Sequence, residues 1–253
     1  MDTGGETVRR DVGNTPSAED AIRVLPRRIL GTAVVFGSVA FASAGWSSGP
    51  AGRRLALMLL RTMTRLGPFL TGFRGERGFT IGKNVLGMPY LQYVNGPPGP
   101  SLSFSHGDGR LYGAMCGGGC VGIDVAFPEE FSGQYPLWRA FGPEELARVL
   151  NLSSHDTATA AALIWSVKEA AVKATGTGFN LTDPLSVRVG PPRAVEWGIL
   201  FEVWAEEPIK VRAAKEGRGW LSLAVARPPH ISPPLTIHTI TGTLSPSQQP
   251  HER

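Results

Sequence analysis

Residues 165–179 read WSVKEAAVKATGTGF and have the form of the last turns of a helix. From Asp156 to Thr175 there is neither proline nor glycine, alanine is abundant, and Leu163, Val167, Ala170 and Ala174 recur at helical spacing. Gly176 is the expected stop, and Asp156 or Ser154 the expected cap. Trp165, Glu169 and Lys173 stand four apart, so one stripe carries a ring, a carboxylate and an ammonium. Such a stripe can face a metal and a phosphate. It can equally be a surface with an ordinary Glu169–Lys173 ion pair worth a few tenths of a kcal/mol, and the helix alone favours that plainer reading.

Upstream, residues 101–125 read SLSFSHGDGRLYGAMCGGGCVGIDV. Two alternating runs start at Leu102 and Leu111, and Gly117, Gly118 and Gly119 form a turn before a further strand from Val121. Asp124 lies between Ile123 and Val125 at a strand end, where a carboxylate is costly to bury without a positive neighbour. A metal ion would serve, as would a helix N-terminus. Cys116 and Cys120 bracket the glycines, and strand residues beside a tight turn explain them better than half a zinc site, since His106 is the one histidine nearby.

Taken together, Ser105-His106, Gly122-Ile123-Asp124-Val125, and Trp165 to Ala170 with Lys173 and Gly176 resemble the motif set of the 4'-phosphopantetheinyl transferases, surfactin-synthetase-activating type, in order and separation. GFTIGKNVLGMPYL, residues 78–91, resembles the segment before the histidine motif in that family, with Met88 departing from its pattern, and residues 141–150 resemble the segment that begins with two aromatics. The resemblance covers roughly residues 78 to 190.

It implies an α+β fold of two similar α/β halves related by a pseudo-twofold, with the active site in the cleft between them. It also implies transfer of 4'-phosphopantetheine from coenzyme A to a serine of an acyl or peptidyl carrier protein, with Mg2+ as cofactor. Asp124 and Glu169 would be the metal ligands, and Glu169 and Lys173 the catalytic pair. Ser105 and His106 would meet a coenzyme A phosphate, with Lys83, Arg53, Arg54 and Lys168 as further coenzyme-binding candidates. Lys168 stands one step along the helix and points away from the stripe, where a solvated position is its alternative. The family's third acid is replaced by Ala126, so a water, Glu129 or Glu130 would have to substitute. That departure, with Met88, also leaves open a non-catalytic relative that binds coenzyme A or a carrier protein.

The rest of the chain is compatible with this. Its 253 residues with 42% hydrophobic content can bury one large core or two small ones. Basic residues number 25 against 21 acidic, a surplus suited to an anionic ligand or acidic protein but too dispersed for nucleic acid. Residues 1–25 read as a tail, 26–118 as the first half, 119–226 as the second and 227–253 as a proline-rich tail. Residues 29–46 are uncharged and follow Arg27 and Arg28, and Ala42-Ser43-Ala44 mimics a signal-peptidase site. Glycine and serine dilute that stretch, and Val34, Val35, Phe36 and Val39 suit buried strands better than a membrane helix. Residues 52–66 carry Leu55, Met58, Leu59, Met63 and Leu66 on one stripe, an amphipathic helix. Gly142-Pro143-Glu144-Glu145 reads as a helix start, and residues 184–189, 200–204 and 220–226 as strands. The expectation is a monomeric, cytoplasmic enzyme, with neither nucleic acid nor membrane as partner.

Overall fold

A long helix packed on an antiparallel sheet occurs twice along this chain. The computed structural model describes residues 23–29, 32–40, 49–65, 79–93 and 99–227. Most of the first tail, the Ala42-Ser43-Ala44 stretch, Pro97 and Pro98, and the last tail beyond Arg227 lie outside these residues. The first sheet has the order β1 (Arg23–Ile29), β2 (Thr32–Ala40), β6 (Arg110–Cys116), β5 (Ser101–Gly107). β1 starts inside the stretch expected to be tail. α1 (Pro50–Arg65) covers this sheet with Leu55, Leu59 and Met63 of the stripe read from the sequence and with Leu60, which was not in it; Met58 of that stripe is half-buried, and Leu66 lies outside the described residues. A separate hairpin, β3 (Phe79–Lys83) and β4 (Pro89–Tyr93), lies between α1 and β5 in sequence.

The second sheet runs β7 (Cys120–Ala126), β12 (Gly219–Ala226), β11 (Pro208–Glu216), β10 (Ile199–Trp204), β8 (Arg188–Val189), with β9 (Arg193–Ala194) on β10. α2 (Pro143–Val149) and α3 (Thr157–Thr175) belong to this half, and α3 lies along β7 and β12. Part of each sheet corresponds: β2-β6-β5 in the first and β7-β12-β11 in the second each pair an earlier strand with the last, which pairs with the one before it, whereas β1 lies beyond β2 and nothing lies beyond β7 among the described residues. All of these ladders are antiparallel.

α3 begins and ends as its sequence dictates. The Asp156 side chain accepts from the Thr159 N–H, and Gly176 closes the helix in the left-handed region at φ 88° with its N–H on the Val172 carbonyl. Leu163, Ile164 and Val167 are fully buried, each contributing about 1.5–3 kcal/mol of hydrophobic stabilisation.

Elsewhere the chain departs from the sequence reading. Only Arg188–Val189 of the expected strand 184–189 is extended. Asp183 turns the backbone first, its Oδ1 accepting from Leu185 N and its carbonyl from Ser186 N, both at 2.9 Å. The long strand β11 was not anticipated. Val34, Val35, Phe36 and Val39 are buried strand residues in β2. Among the described residues no helix is long and apolar enough to cross a membrane. Cys116 and Cys120 are free thiols at the end of β6 and start of β7.

Candidate active site

Gly122 decides how the two key elements meet. A Cβ there would stand 1.9 Å from the Ala170 carbonyl oxygen and 2.7 Å from Ala174 N, so the α3 backbone lies directly on β7. Only glycine permits that approach, and the small residues Ala170 and Ala174 complete it. Two residues further on, Asp124 then faces the last turns of the helix. Its partner across the sheet, Ser222, shares a 2.8 Å hydrogen bond with Ser166 of α3, pinning the helix to the strands behind the site.

Four expected residues come together here. Lys173 Nζ lies 2.7 Å from Asp124 Oδ1 and 3.7 Å from Glu169 Oε2. The Ser105 hydroxyl donates to the same Asp124 Oδ1 at 2.8 Å. The Asp124 side chain is 7% exposed, Glu169 21% and Lys173 28%, so the cluster is closed from behind and reachable from the front.

Its electrostatics follow from two carboxylates sharing one ammonium. Burial pushes the Glu169 carboxyl up to about 7, Lys173 pulls it down, and the Asp124 charge adds to the rise. Burial also raises Asp124, with Lys173 and the Ser105 hydrogen bond opposing it. Burial alone would lower Lys173, but the two carboxylates outweigh it and hold the ammonium above its ordinary range. The cluster therefore carries one excess negative charge when fully ionised. Two hard oxygen donors and a surplus of negative charge suit a divalent cation such as Mg2+, which takes one or two carboxylates and fills its remaining positions with phosphate and water oxygens. Among the described residues no three His, Cys, Asp or Glu side chains converge as a group that could hold a metal ion.

The other candidates lie apart. His106 follows Ser105 on β5 and projects from the opposite face, exposed. Arg53 is exposed at the start of α1 with its guanidinium 5.6 Å from the Phe79 ring centre, and Arg54 follows it, half-buried. Lys83 is exposed at the end of β3. The turn after it reaches the second half, since Met88 Sδ lies 3.1 Å from where a Cβ on Gly176 would stand.

Lys168 corrects the reading made of it. Instead of meeting solvent or a ligand, its ammonium is fully buried, donating to the Ala140 and Pro184 carbonyls at 2.9 Å and pairing with Glu145 Oε2 at 2.8 Å. Burial lowers its pKa, and Glu145 opposes the shift. The Glu145 carboxylate also accepts from Gly142 N and Val189 N, so every oxygen of the pair is used. The Gly-Pro-Glu-Glu start displayed the cap at Glu145, but nothing in the sequence announced its partner 23 residues on. Glu129 is drawn to Arg218, and Glu130 caps the Phe127 N–H at 2.8 Å. The Trp165 ring belongs to an aromatic cluster, stacked on Phe179 at 5.0 Å and tilted or edge-on to Phe131 and Phe141.

No curated protein matches the chain. The family model of the 4'-phosphopantetheinyl transferase superfamily matches residues 120–205, which include Asp124, Glu169 and Lys173. The match takes in the buried Asp124 and the helix that faces it, about a third of the chain.

Proposed function

We propose that the protein transfers 4'-phosphopantetheine from coenzyme A to a serine of an acyl or peptidyl carrier protein. The observation that carries this reading is the Asp124–Lys173–Glu169 cluster at the face of a superfamily-matched segment. Asp124 and Glu169 would hold Mg2+, which when bound would neutralise the coenzyme A diphosphate. In the reaction the carrier serine oxygen bonds to the β-phosphorus, and the bond from that phosphorus to the bridging oxygen breaks. Adenosine 3',5'-bisphosphate leaves with that electron pair. The serine proton goes to a Glu169 carboxylate oxygen, directly or through one water. Lys173 neutralises phosphate charge as it develops. Most of the acceleration comes from such placement.

The corresponding orders β2-β6-β5 and β7-β12-β11 support two similar halves meeting at a cleft. The Met88 contact on Gly176 supports the β3–β4 hairpin as a first-half wall of that cleft, with Lys83, Arg53, Arg54 and His106 as its phosphate-holding groups. Lys168 is left out of that set and given a structural role. Because one chain would supply both halves, the working unit is a monomer, and coenzyme A as co-substrate puts it in the cytoplasm. The test is release of adenosine 3',5'-bisphosphate from coenzyme A in the presence of an apo carrier protein and Mg2+. Asp124→Ala should abolish release while the protein stays folded, and full release from that variant would refute the role of the cluster.

A further inference from the structure

Three serines of β5 do one job in common, and one of them does a second. Ser101, Ser103 and Ser105 alternate along the strand, and their hydroxyl oxygens accept from Val121 N at 2.9 Å, Ile123 N at 3.2 Å and Val125 N at 3.2 Å. β7 is the edge strand of the second sheet, so these N–H groups have no ladder partner. The hydroxyls of the first sheet take the place of a neighbouring strand. Ser103 and Ser105 are both 5% exposed. Ser105 alone also donates its proton sideways to Asp124 Oδ1, the oxygen on which Lys173 sits. Thus Oδ1 bears donors from both halves, and the plane of the carboxylate is fixed between them. The Ser105 hydroxyl accepts one hydrogen bond and donates one within the protein.

We infer that Ser105 is a positioning residue, a hydroxyl supplied by the first sheet that orients the Asp124 carboxylate of the second for a divalent cation. This rests on Asp124 being a metal ligand, as proposed above. Hydrogen bonds that orient metal-binding carboxylates typically change affinity by about 10–100-fold when removed. Ser103 is the matched control, because it makes the same bond to β7 with no carboxylate attached.

The experiment is Mn2+ binding to the full chain, followed by electron paramagnetic resonance without coenzyme A, alongside thermal melting. Ser105→Ala should weaken Mn2+ binding about tenfold or more, whereas Ser103→Ala should lower the melting temperature comparably and leave Mn2+ binding within about twofold. Ser105→Thr, which keeps a hydroxyl, should recover most of the affinity. Equal Mn2+ affinity in Ser105→Ala and Ser103→Ala would overturn the inference. Asp124→Ala separates the two levels, since undiminished Mn2+ binding there would remove the metal reading itself.

Discussion

Glu169 is poised because the protein leaves it short of positive charge. Lys173 sits a full ångström closer to Asp124 than to Glu169, so burial and the neighbouring aspartate dominate the second carboxyl and its pKa rises from 4.5 to about 7. In metal-free protein, a carbon-detected NMR titration of the Glu169 carboxyl should show a midpoint near pH 7, and added Mg2+ should move it downward. A midpoint near the ordinary glutamate value would contradict the assigned environment. The folded state binds this proton more tightly than the unfolded chain, so the stability it contributes is full below about pH 4.5 and is lost as pH rises to about 7. Glu169→Gln, permanently neutral, should flatten that fall in denaturation curves taken across the window. Of the residues in this cluster, Asp124, Glu169, Lys173 and Ser105 were legible in the sequence through motif and spacing. Their mutual geometry was not, because Ser105 and Asp124 are 19 positions apart and meet only through the crossing of two sheets.

At the scale of elements, the site depends on how α3 is held on both of its sides. On the β7 side, Gly122→Ala forces a methyl onto the Ala170 carbonyl, a backbone atom that cannot swing away. Overpacking of this kind costs about 1–3 kcal/mol. Thermal melting should therefore show a clear loss of stability, and the displaced helix should take Glu169 and Lys173 from Asp124. A variant as stable as the parent would show that the helix does not lie this close. On the opposite side, Lys168 ties α3 to the carbonyls of Ala140 and Pro184 and to Glu145 of α2. Lys168→Met leaves the buried Glu145 charge unpaired, for which about 3–5 kcal/mol is typical. Pairing it with Glu145→Gln should recover part of that loss in chemical denaturation, and no recovery would argue against a direct pair. The sequence places Lys168 on this side of the helix by its offset from the stripe. It does not show burial, because a lysine enters a core only when distant carbonyls and a carboxylate converge on it.

For the whole molecule, the sequence was most readable where a single element carried its own period and stop signals. α3, with Asp156 before it and Gly176 after, is the clearest case, and α1 and the strands β2, β10 and β12 follow the same logic. β11 was missed although Ile209, Val211 and Ala213 alternate into the core, because Lys210 and Arg212 between them and Lys215 beyond gave it the look of a polar connection. β1 was missed because Pro26 and the arginines beside it suit a tail, and it becomes a strand only by pairing with β2. The correspondence of β2-β6-β5 with β7-β12-β11 was beyond reach, since it is a property of pairing between segments and not of any one segment's composition. The serine seam and the Met88 contact then join the halves around one acidic cluster, and the account stands or falls on what that cluster does. Its most direct test is intact-mass spectrometry of several unrelated apo carrier proteins incubated with this protein, coenzyme A and Mg2+, with Glu169→Gln as control. The account predicts a phosphopantetheine-sized gain on at least one carrier that falls by about 100-fold or more in rate with the control. No gain on any carrier from a folded protein that binds coenzyme A, or an undiminished gain with Glu169→Gln, would contradict it.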